Sequence, residues 1–418
     1  MDSLRQKIRS PKIQHIQEHN QKVRIVRKQF DMPIETMDCS NEKRPRKFQI
    51  YQKFKFTALI ILVLLISGVI FIKLNTAAAA YLTDNILRPV VGDKNIVFLE
   101  KIYFNASDFV ERLTHNSNFD KPPIFNEDSS QASIAGSELN LMALSTAGDD
   151  KPLAGEGQWK NLPLKMFPDK EVMAHTFLRP DSARSYAITT VVQIDKQVLR
   201  MGIVAGTKQP GGPVGKPGPG IVPKDIVSGG KLIAAFDGGF QYKDGAYGMI
   251  VGGNTYLPLR SDLGTIIGYK DGTLKIIDYT GQPLGDNVEF VRQNCPILIS
   301  NGAVAAGDPR NKKLWGRLAA GTVDILTWRS GLGLTKQGNL LFAVGNNLTP
   351  ITLANALKTA GAVDAIQLDI NPIWVRFNIF NYLGNGKYNS IPLTKDLQDG
   401  SKQYLNGYEK DFFYLYAN

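Results

Sequence analysis

The chain has 418 residues, 43% hydrophobic and 21% charged, with two cysteines and a formal net charge of +11. That length favours two or three units, the composition excludes wholesale disorder, and two cysteines exclude a disulfide-stapled scaffold or a cysteine-rich zinc site. The charge resembles a nucleic-acid footprint only until it is located. Residues 1–55 hold 14 Lys/Arg against 6 Asp/Glu, leaving 35 basic and 32 acidic side chains for the rest.

Residues 1–55 read as a basic cytoplasmic tail. Residues 56–72 (FTALIILVLLISGVIFI) carry no charge. At 1.5 Å per residue they reach about 26 Å, close to the hydrocarbon thickness of a bilayer. Extended to residue 74, the run is expected to be a single transmembrane anchor, because it is apolar on every face where a core helix has a polar one. Lys53 and Lys55, with Lys43, Arg44, Arg46 and Lys47 upstream, put the N-terminal side in the cytoplasm and everything after the run outside the cell membrane. A cleaved signal peptide is the competing reading, with Ala77 to Ala80 as its small-residue site. The tail is long for an n-region, however, and the apolar run exceeds an h-region. Anionic lipid headgroups account for the tail's charge more simply than nucleic acid, so no nucleic-acid partner is expected. Cys39 and Cys295 then lie on opposite sides of the membrane, and Cys295 reads as a buried apolar filler.

Residues 75–115 are expected to be a juxtamembrane helical region. Apolar residues recur at three and four spacings from Leu99 to Leu113; the alternative is a shorter second helix capped by Asp108 or Ser107. Residues 116–157, with Pro122-Pro123 and Gly148-Asp149-Asp150, read as a linker. From 158 to 418 the pattern is strand-rich. Strands are expected at 186–194, 198–204, 232–236, 247–251, 265–269, 274–278, 296–299, 340–344 and 363–368. The Gly/Pro-rich stretch 206–223 reads as a surface loop; Pro217 after Gly215-Lys216 excludes a phosphate-cradling loop. A helix capped by Thr352 carries Leu353, Ala356, Leu357 and Ala360 on one face and ends at Gly361. It feeds a strand that closes on Asp369. The fold class is therefore α+β: a strand-rich, mostly antiparallel sheet domain with a few packed helices, preceded by a single transmembrane helix.

No Gly-x-Ser-x-Gly, His-Glu-x-x-His or Cys-x-x-Cys is present, and only His115 and His175 lie beyond the apolar run. Catalysis then rests on carboxylates, arginines and amides, with no metal or cofactor implied. Three clusters carry such groups. In Ala234-Ala235-Phe236-Asp237-Gly238-Gly239-Phe240 a strand ends in an acid followed by two glycines, which lets backbone approach a ligand. In Trp328-Arg329-Ser330-Gly331-Leu332-Gly333 an arginine can present its planar fork to a phosphate or carboxylate. In Leu368-Asp369-Ile370-Asn371-Pro372-Ile373-Trp374 the tryptophan can stack on a sugar ring. Each also has a plain structural reading: a tight turn, a salt bridge, and a capped turn around a core tryptophan.

With these motifs in this order, residues from about 186 to 400 resemble the phosphodiester glycosidase family, whose bacterial members are linked to exopolysaccharide. The family's Asn-Gly-Gly-Phe stands here as Asp237-Gly238-Gly239-Phe240, and its arginine leading into a glycine-rich strand as Arg329 to Gly333. Its Thr-Leu helix, Gly-Ala turn and Leu-Asp strand end stand as Thr352-Leu353, Gly361-Ala362 and Leu368-Asp369, and Asn301-Gly302 fits its turn. Two positions depart from it: Asp237 replaces Asn, and Ile370-Asn371-Pro372 replaces a glycine-rich stretch after Asp369.

The resemblance implies hydrolysis of a sugar-1-phosphate diester, or of a related surface-glycan linkage in the cell envelope, outside the membrane. Cleaving a glycosidic bond needs a proton donor and a second carboxylate, for which Asp237 and Asp369 are the candidate pair. Arg329 would neutralise the phosphate, with Arg292 as a second candidate. Gly238, Gly239, Asn294, Asn301, Asn371 and Trp374 complete the expected substrate-binding set. His175 joins it as a residue able to exchange protons near neutral pH, although a lone histidine beside a strand is more often structural. A second reading, favoured by the altered sequence after Asp369, is a non-catalytic membrane-anchored glycan binder or envelope-assembly protein with the same fold.

Overall fold

A computed structural model describes residues 55–57, 59–60, 63, 67–68, 71, 75–114, 123–125, 139, 141–145, 151–306 and 325–418. The chain divides into two units, Met1–Phe71 and Ile72–Asn418. The basic tail and most of the expected anchor at 56–74 lie outside the described residues. Among the described residues no helix is long and apolar enough to cross a membrane.

In the second unit the helices α1 (Thr76–Leu82), α2 (Arg88–Val91) and α3 (Asp93–Thr114) come first, with a π-helical turn at Thr83–Leu87. Of the two readings of this region the continuous helix is the one observed, and α3 runs through Ser107 and Asp108. Neither residue caps a helix. Asp108 instead accepts from Arg184 Nε at 2.8 Å and from the hydroxyl of Tyr186, which ties the helix to the strand domain. Where described, the stretch expected to be a linker also packs on that domain: Leu139 and Leu141 are buried, and Glu156 is paired with Arg179 at 3.0 Å.

In chain order the strands are β1 (Lys160–Asn161), β2 (Met173–Leu178), β3 (Thr189–Ile194), β4 (Leu199–Val204), β5 (Leu232–Asp237), β6 (Met249–Val251), β7 (Asn254–Leu257), β8 (Leu263–Tyr269) and β9 (Leu274–Tyr279). They continue as β10 (Val288–Gln293), β11 (Ile299–Ser300), β12 (Ala303–Val304), β13 (Thr327–Thr335), β14 (Leu340–Leu348), β15 (Ala362–Ile370), β16 (Phe377–Gly384), β17 (Lys387–Pro392) and β18 (Phe412–Ala417). The intervening helices are α4 (Lys224–Ser228), α5 (Pro350–Thr359) and α6 (Ser401–Asn406). Three antiparallel sheets result, ordered β1-β2-β3-β14-β13-β15-β11-β12, β7-β6-β10-β8-β9 and β17-β16-β5-β18-β4. The α+β expectation agrees with this: strands dominate and few helices pack on them.

The three sheets close over one apolar core. Leu332 and Leu334 of β13, Phe342 of β14 and Leu368 of β15 meet Phe236 of β5, Phe377 of β16, Phe413 of β18 and Phe290 of β10. Phe236 stands at its centre, with ring centroids of Phe342, Phe377 and Phe413 5.1, 5.5 and 5.6 Å away. The reverse face of the largest sheet packs on α5 through Leu353, Ala356 and Leu357. The glycine-rich character of β13 follows from that contact. A Cβ at Gly331 would lie 2.9 Å from the Ile366 carbonyl and 3.2 Å from both Leu353 and Leu357, so the bare backbone admits the helix.

Several expected boundaries move: β3 begins at Thr189, β6 begins at Met249, and β14 runs on to Leu348. Thr349, not Thr352, caps α5: Thr352 N donates to Thr349 Oγ1 at 3.1 Å, Thr352 Oγ1 accepts from Thr349 N at 2.9 Å, and Pro350 takes the first helical position. The strand expected at 296–299 begins only at Ile299. Cys295 adopts a left-handed φ of 55° and Pro296 has no N–H to pair, which delays the ladder.

Candidate active site

The site is built where β5, β13, β15 and β18 end. Asp237 is the last residue of β5 and Asp369 the penultimate residue of β15. Simple alternation would turn Asp369 away from Asp237. Along β15, Ile366 and Leu368 face the central core while Ala365 and Ile370 face α5. A bulge resolves this. Arg329 pairs with Ile370 but Gly331 pairs with Gln367, so β15 carries one residue more than β13 over that interval. The extra residue turns Asp369 to the side of Ser330 and Asp237.

Ser330 links the Asp237 carboxyl to the Asp369 backbone. Its Oγ donates to Asp237 Oδ2 at 2.5 Å and accepts from Asp369 N at 3.1 Å. Asp237 Oδ1 accepts from Arg376 N at 2.9 Å, and Asp369 Oδ1 accepts from Ile370 N at 2.9 Å. Asp369 Oδ2 is in contact with the Lys410 ammonium, which also lies 4.6 Å from the centre of the Trp374 ring. Both residues are 3% exposed. Burial, joined by the neighbouring Asp369 charge, pushes Asp237 up to about 7 against the pull of Ser330, the Arg376 N–H and Lys410. Burial also raises Asp369, but there the Lys410 ammonium opposes it at contact. The environment thus separates the pair: Asp237 holds a proton near neutral pH, and Asp369 is the member with a cation against it.

Not every expected residue comes to this place. Arg329 points to the opposite face of β13. Its Nε donates to Leu348 O at 2.7 Å, Nη1 to Gln367 Oε1 at 2.8 Å and Nη2 to Ile325 O at 2.9 Å, so its fork is occupied by protein acceptors. Arg292 is likewise engaged, forming a two-pronged pair with Asp411 at 2.8 and 3.1 Å and donating to the carbonyls of Tyr247, Gln293 and Phe240. This pair explains Gly238 and Gly239. A Cβ at Gly238 would overlap Asp411, and one at Gly239 would fall 2.5 Å from Arg292 Nη2. The glycines make room for a buried ion pair directly behind Asp237. Asn294 pins the same turn to the bulge: its Oδ1 accepts from Phe240 N at 2.9 Å and its Nδ2 donates to Gln367 O at 2.9 Å.

Asn371, with φ at 83°, shapes the turn that presents Trp374. Its Oδ1 accepts from Ile373 N at 3.2 Å, and its carbonyl from Trp374 N at 3.1 Å. Asn301 lies elsewhere. It turns the β11–β12 hairpin, with its N–H on Asp364 Oδ1 at 2.9 Å, five positions and therefore roughly 15 Å along β15 from Asp369. His175 is also remote. It lies within β2, three strands or about 14 Å across the sheet from β13. Its ring is 3.7 Å from that of Phe125, and burial with nearby Lys160 lowers it to about 4, so it is neutral at neutral pH.

Sequence reasoning missed Ser330 as the bridge, and Lys410, Asp411 and Arg376 altogether. Ser330 was hidden beside the more conspicuous Arg329. Lys410-Asp411 reads as an ordinary solvated charge pair until it is noticed that both immediately precede the apolar strand FFYLYA, which has no reason to begin exposed. Among the described residues no three His, Cys, Asp or Glu side chains gather to hold a metal ion. A cavity of about 630 Å³ lies apart from the acids, along β4, with Tyr256, Tyr269, Tyr414 and Tyr416 in its walls.

Comparison with known proteins bears out the family resemblance: residues 230–369 match the family model described as phosphodiester glycosidase. That interval carries Asp237, Ser330 and Asp369. No curated protein matches the chain. Among solved structures, the zebrafish N-acetylglucosamine-1-phosphodiester alpha-N-acetylglucosaminidase catalytic domain, auto-inhibited by its pro-peptide, is 13% identical, with a TM-score of 0.36 over 73% of this chain and 100% of that one. A hypothetical protein from Synechocystis is 11% identical, with a TM-score of 0.31 over 60% of this chain and 63% of that one.

Proposed function

We propose, from the match of residues 230–369 to the phosphodiester glycosidase family, that this chain is a glycoside hydrolase acting on a sugar-1-phosphate diester or a related glycan linkage. The observation that carries this reading is the electrostatic separation of two buried carboxyls, with one serine hydroxyl linking the Asp237 carboxyl to the Asp369 backbone N–H. In this mechanism the bond between the anomeric carbon and the phosphoryl oxygen breaks. Asp237 gives its proton to the departing oxygen, and Asp369, as carboxylate, either takes a proton from the water that attacks the anomeric carbon or attacks that carbon itself, the glycosyl ester so formed then being hydrolysed by water whose proton Asp237 takes. Free sugar and a phosphate monoester result. Lys410 steadies the Asp369 charge until substrate arrives, and the Trp374 ring offers an apolar face to the sugar.

The test is turnover of a panel of sugar-1-phosphate diesters by the full chain, read as release of free sugar. Hydrolysis that disappears in Asp237→Asn and in Asp369→Asn supports the reading. Hydrolysis that survives both removes the two acids from the mechanism. One observation favours a second reading, a non-catalytic glycan binder: Asp369 is already engaged by Lys410. It predicts glycan binding with no turnover anywhere in the panel.

The proposal includes a membrane address. The uncharged run at 56–72 and the basic residues before it support a single-pass anchor with the tail in the cytoplasm, against lipid headgroups, and the enzyme domain outside. Protease added to intact cells should then remove the C-terminal domain and spare an N-terminal tag. Protection of both would contradict this topology.

A further inference from the structure

Arg376 is held beside Asp237 by its backbone, whose N–H donates to Asp237 Oδ1 at 2.9 Å. Its side chain is 6% exposed and runs over the Tyr408 ring, the guanidinium carbon 5.5 Å from the ring centre. Gly400 opens the space for it. A Cβ there would lie 3.0 Å from Arg376 Cδ and 2.8 Å from Tyr404 Cε2. Among the described residues, Nε and Nη1 of this buried guanidinium have no acceptor, and the neighbouring Tyr404 hydroxyl, also buried, has no partner. The remaining nitrogen reaches only the exposed Gln398, at 3.5 Å, the outer limit of a hydrogen bond.

Arg292 shows what a structural arginine looks like in the same domain: each nitrogen is bonded and a carboxylate faces the fork. Among the described residues Arg376 has no such counter-charge, and a buried cation with idle donors is suited to an anionic ligand. We infer that Arg376 and Tyr404 form an oxyanion subsite that holds the phosphoryl group of the substrate next to Asp237. The planar fork pairs with two phosphoryl oxygens through Nε and Nη1, and the tyrosine hydroxyl donates to the same group. Gln398, long, exposed and weakly held, is the side chain that swings aside to admit it. The inference rests on the hydrolase reading for the identity of the anion, while the subsite itself rests on the idle donors.

The experiment combines calorimetric titration of the full chain with inorganic phosphate and diester turnover by the same preparations. Wild-type protein is expected to bind phosphate. Arg376→Met should weaken binding by about tenfold or more, Arg376→Lys should recover part of it, and Tyr404→Phe should weaken it by about threefold. In turnover, Arg376→Met should raise KM for the diester as well as lower kcat. Recovery by Lys separates lost charge from lost folding, and Tyr404→Phe carries the test if Arg376→Met does not fold. Absence of phosphate binding by wild type, or equal binding by wild type, Arg376→Met and Tyr404→Phe, overturns the subsite. If phosphate binds through Arg376 while no diester is turned over, the subsite stands and the hydrolase reading falls.

Discussion

Arg329 and Ser330 are neighbours on one strand, and they serve opposite ends. Ser330 faces the central core and links the Asp237 carboxyl to the Asp369 backbone N–H, while Arg329 faces α5 and spends its fork on the carbonyls of Leu348 and Ile325 and the amide oxygen of Gln367. Strand alternation alone produces that division on β13. On β15 alternation would have put Asp369 with Arg329; the bulge moves it across to Ser330. The face that carries both acids is thus set by the shift in register between Arg329 and Gly331. The conspicuous arginine beside it is scaffold.

The largest effect that can break this division is on turnover. Asp237→Asn or Asp369→Asn should each lower it by about 10²–10⁴-fold, whereas Arg329→Met should leave turnover per folded molecule far less affected. Kinetics normalised to folded protein decide this, and equal losses would merge the two faces.

Next is linkage. Asp237 is raised to about 7 in the folded protein from an ordinary value of 3.8, chiefly by burial and then by Asp369. Its contribution to stability is therefore fully present below about pH 4 and lost as pH rises to about 7, by at most roughly 4 kcal/mol. His175, lowered to about 4 by burial, works with the opposite sign over about pH 4 to 6.5. The readable quantity is consequently the difference between wild type and Asp237→Asn. Denaturant titrations should show wild type losing stability relative to the variant between about pH 4 and 7.

Arg329→Met should cost about 3 kcal/mol of stability, because it strands buried oxygens of Gln367, Leu348 and Ile325. A loss below about 0.5 kcal/mol would show that the fork is not holding the strand ends. The smallest effect belongs to Ser330→Ala. It removes a donor to the ionised form of Asp237, so the alkaline limb of the rate profile should move upward by about one pH unit or less.

Part of this arrangement was legible in the amino-acid order. An acid at the end of an apolar strand marked Asp237 and Asp369, and the helix-glycine-strand run around Gly361 placed β15 almost to the residue. The glycines of the two motifs were visible but their purpose was not. Gly238 and Gly239 clear space for Asp411 and Arg292, and Gly331 for α5, contacts made between residues far apart in the chain. The bulge was invisible because pairing register depends on two strands at once. Lys410, at the other end of the domain from Asp237, could be joined to Asp369 only by the fold. Residue type and the family resemblance point to Arg329 and Arg292 for the phosphate, but the fold gives both a full set of protein acceptors and leaves the idle donors on Arg376.

The central claim is that Asp237 and Asp369 titrate as one separated pair, and a site-resolved carbon NMR titration of Asp237 in the full chain tests it most directly. The account predicts that Asp237 titrates near pH 7, and that Asp369→Asn moves it down by removing the neighbouring charge. An Asp237 that ionises in the ordinary carboxylate range and ignores Asp369→Asn would contradict it.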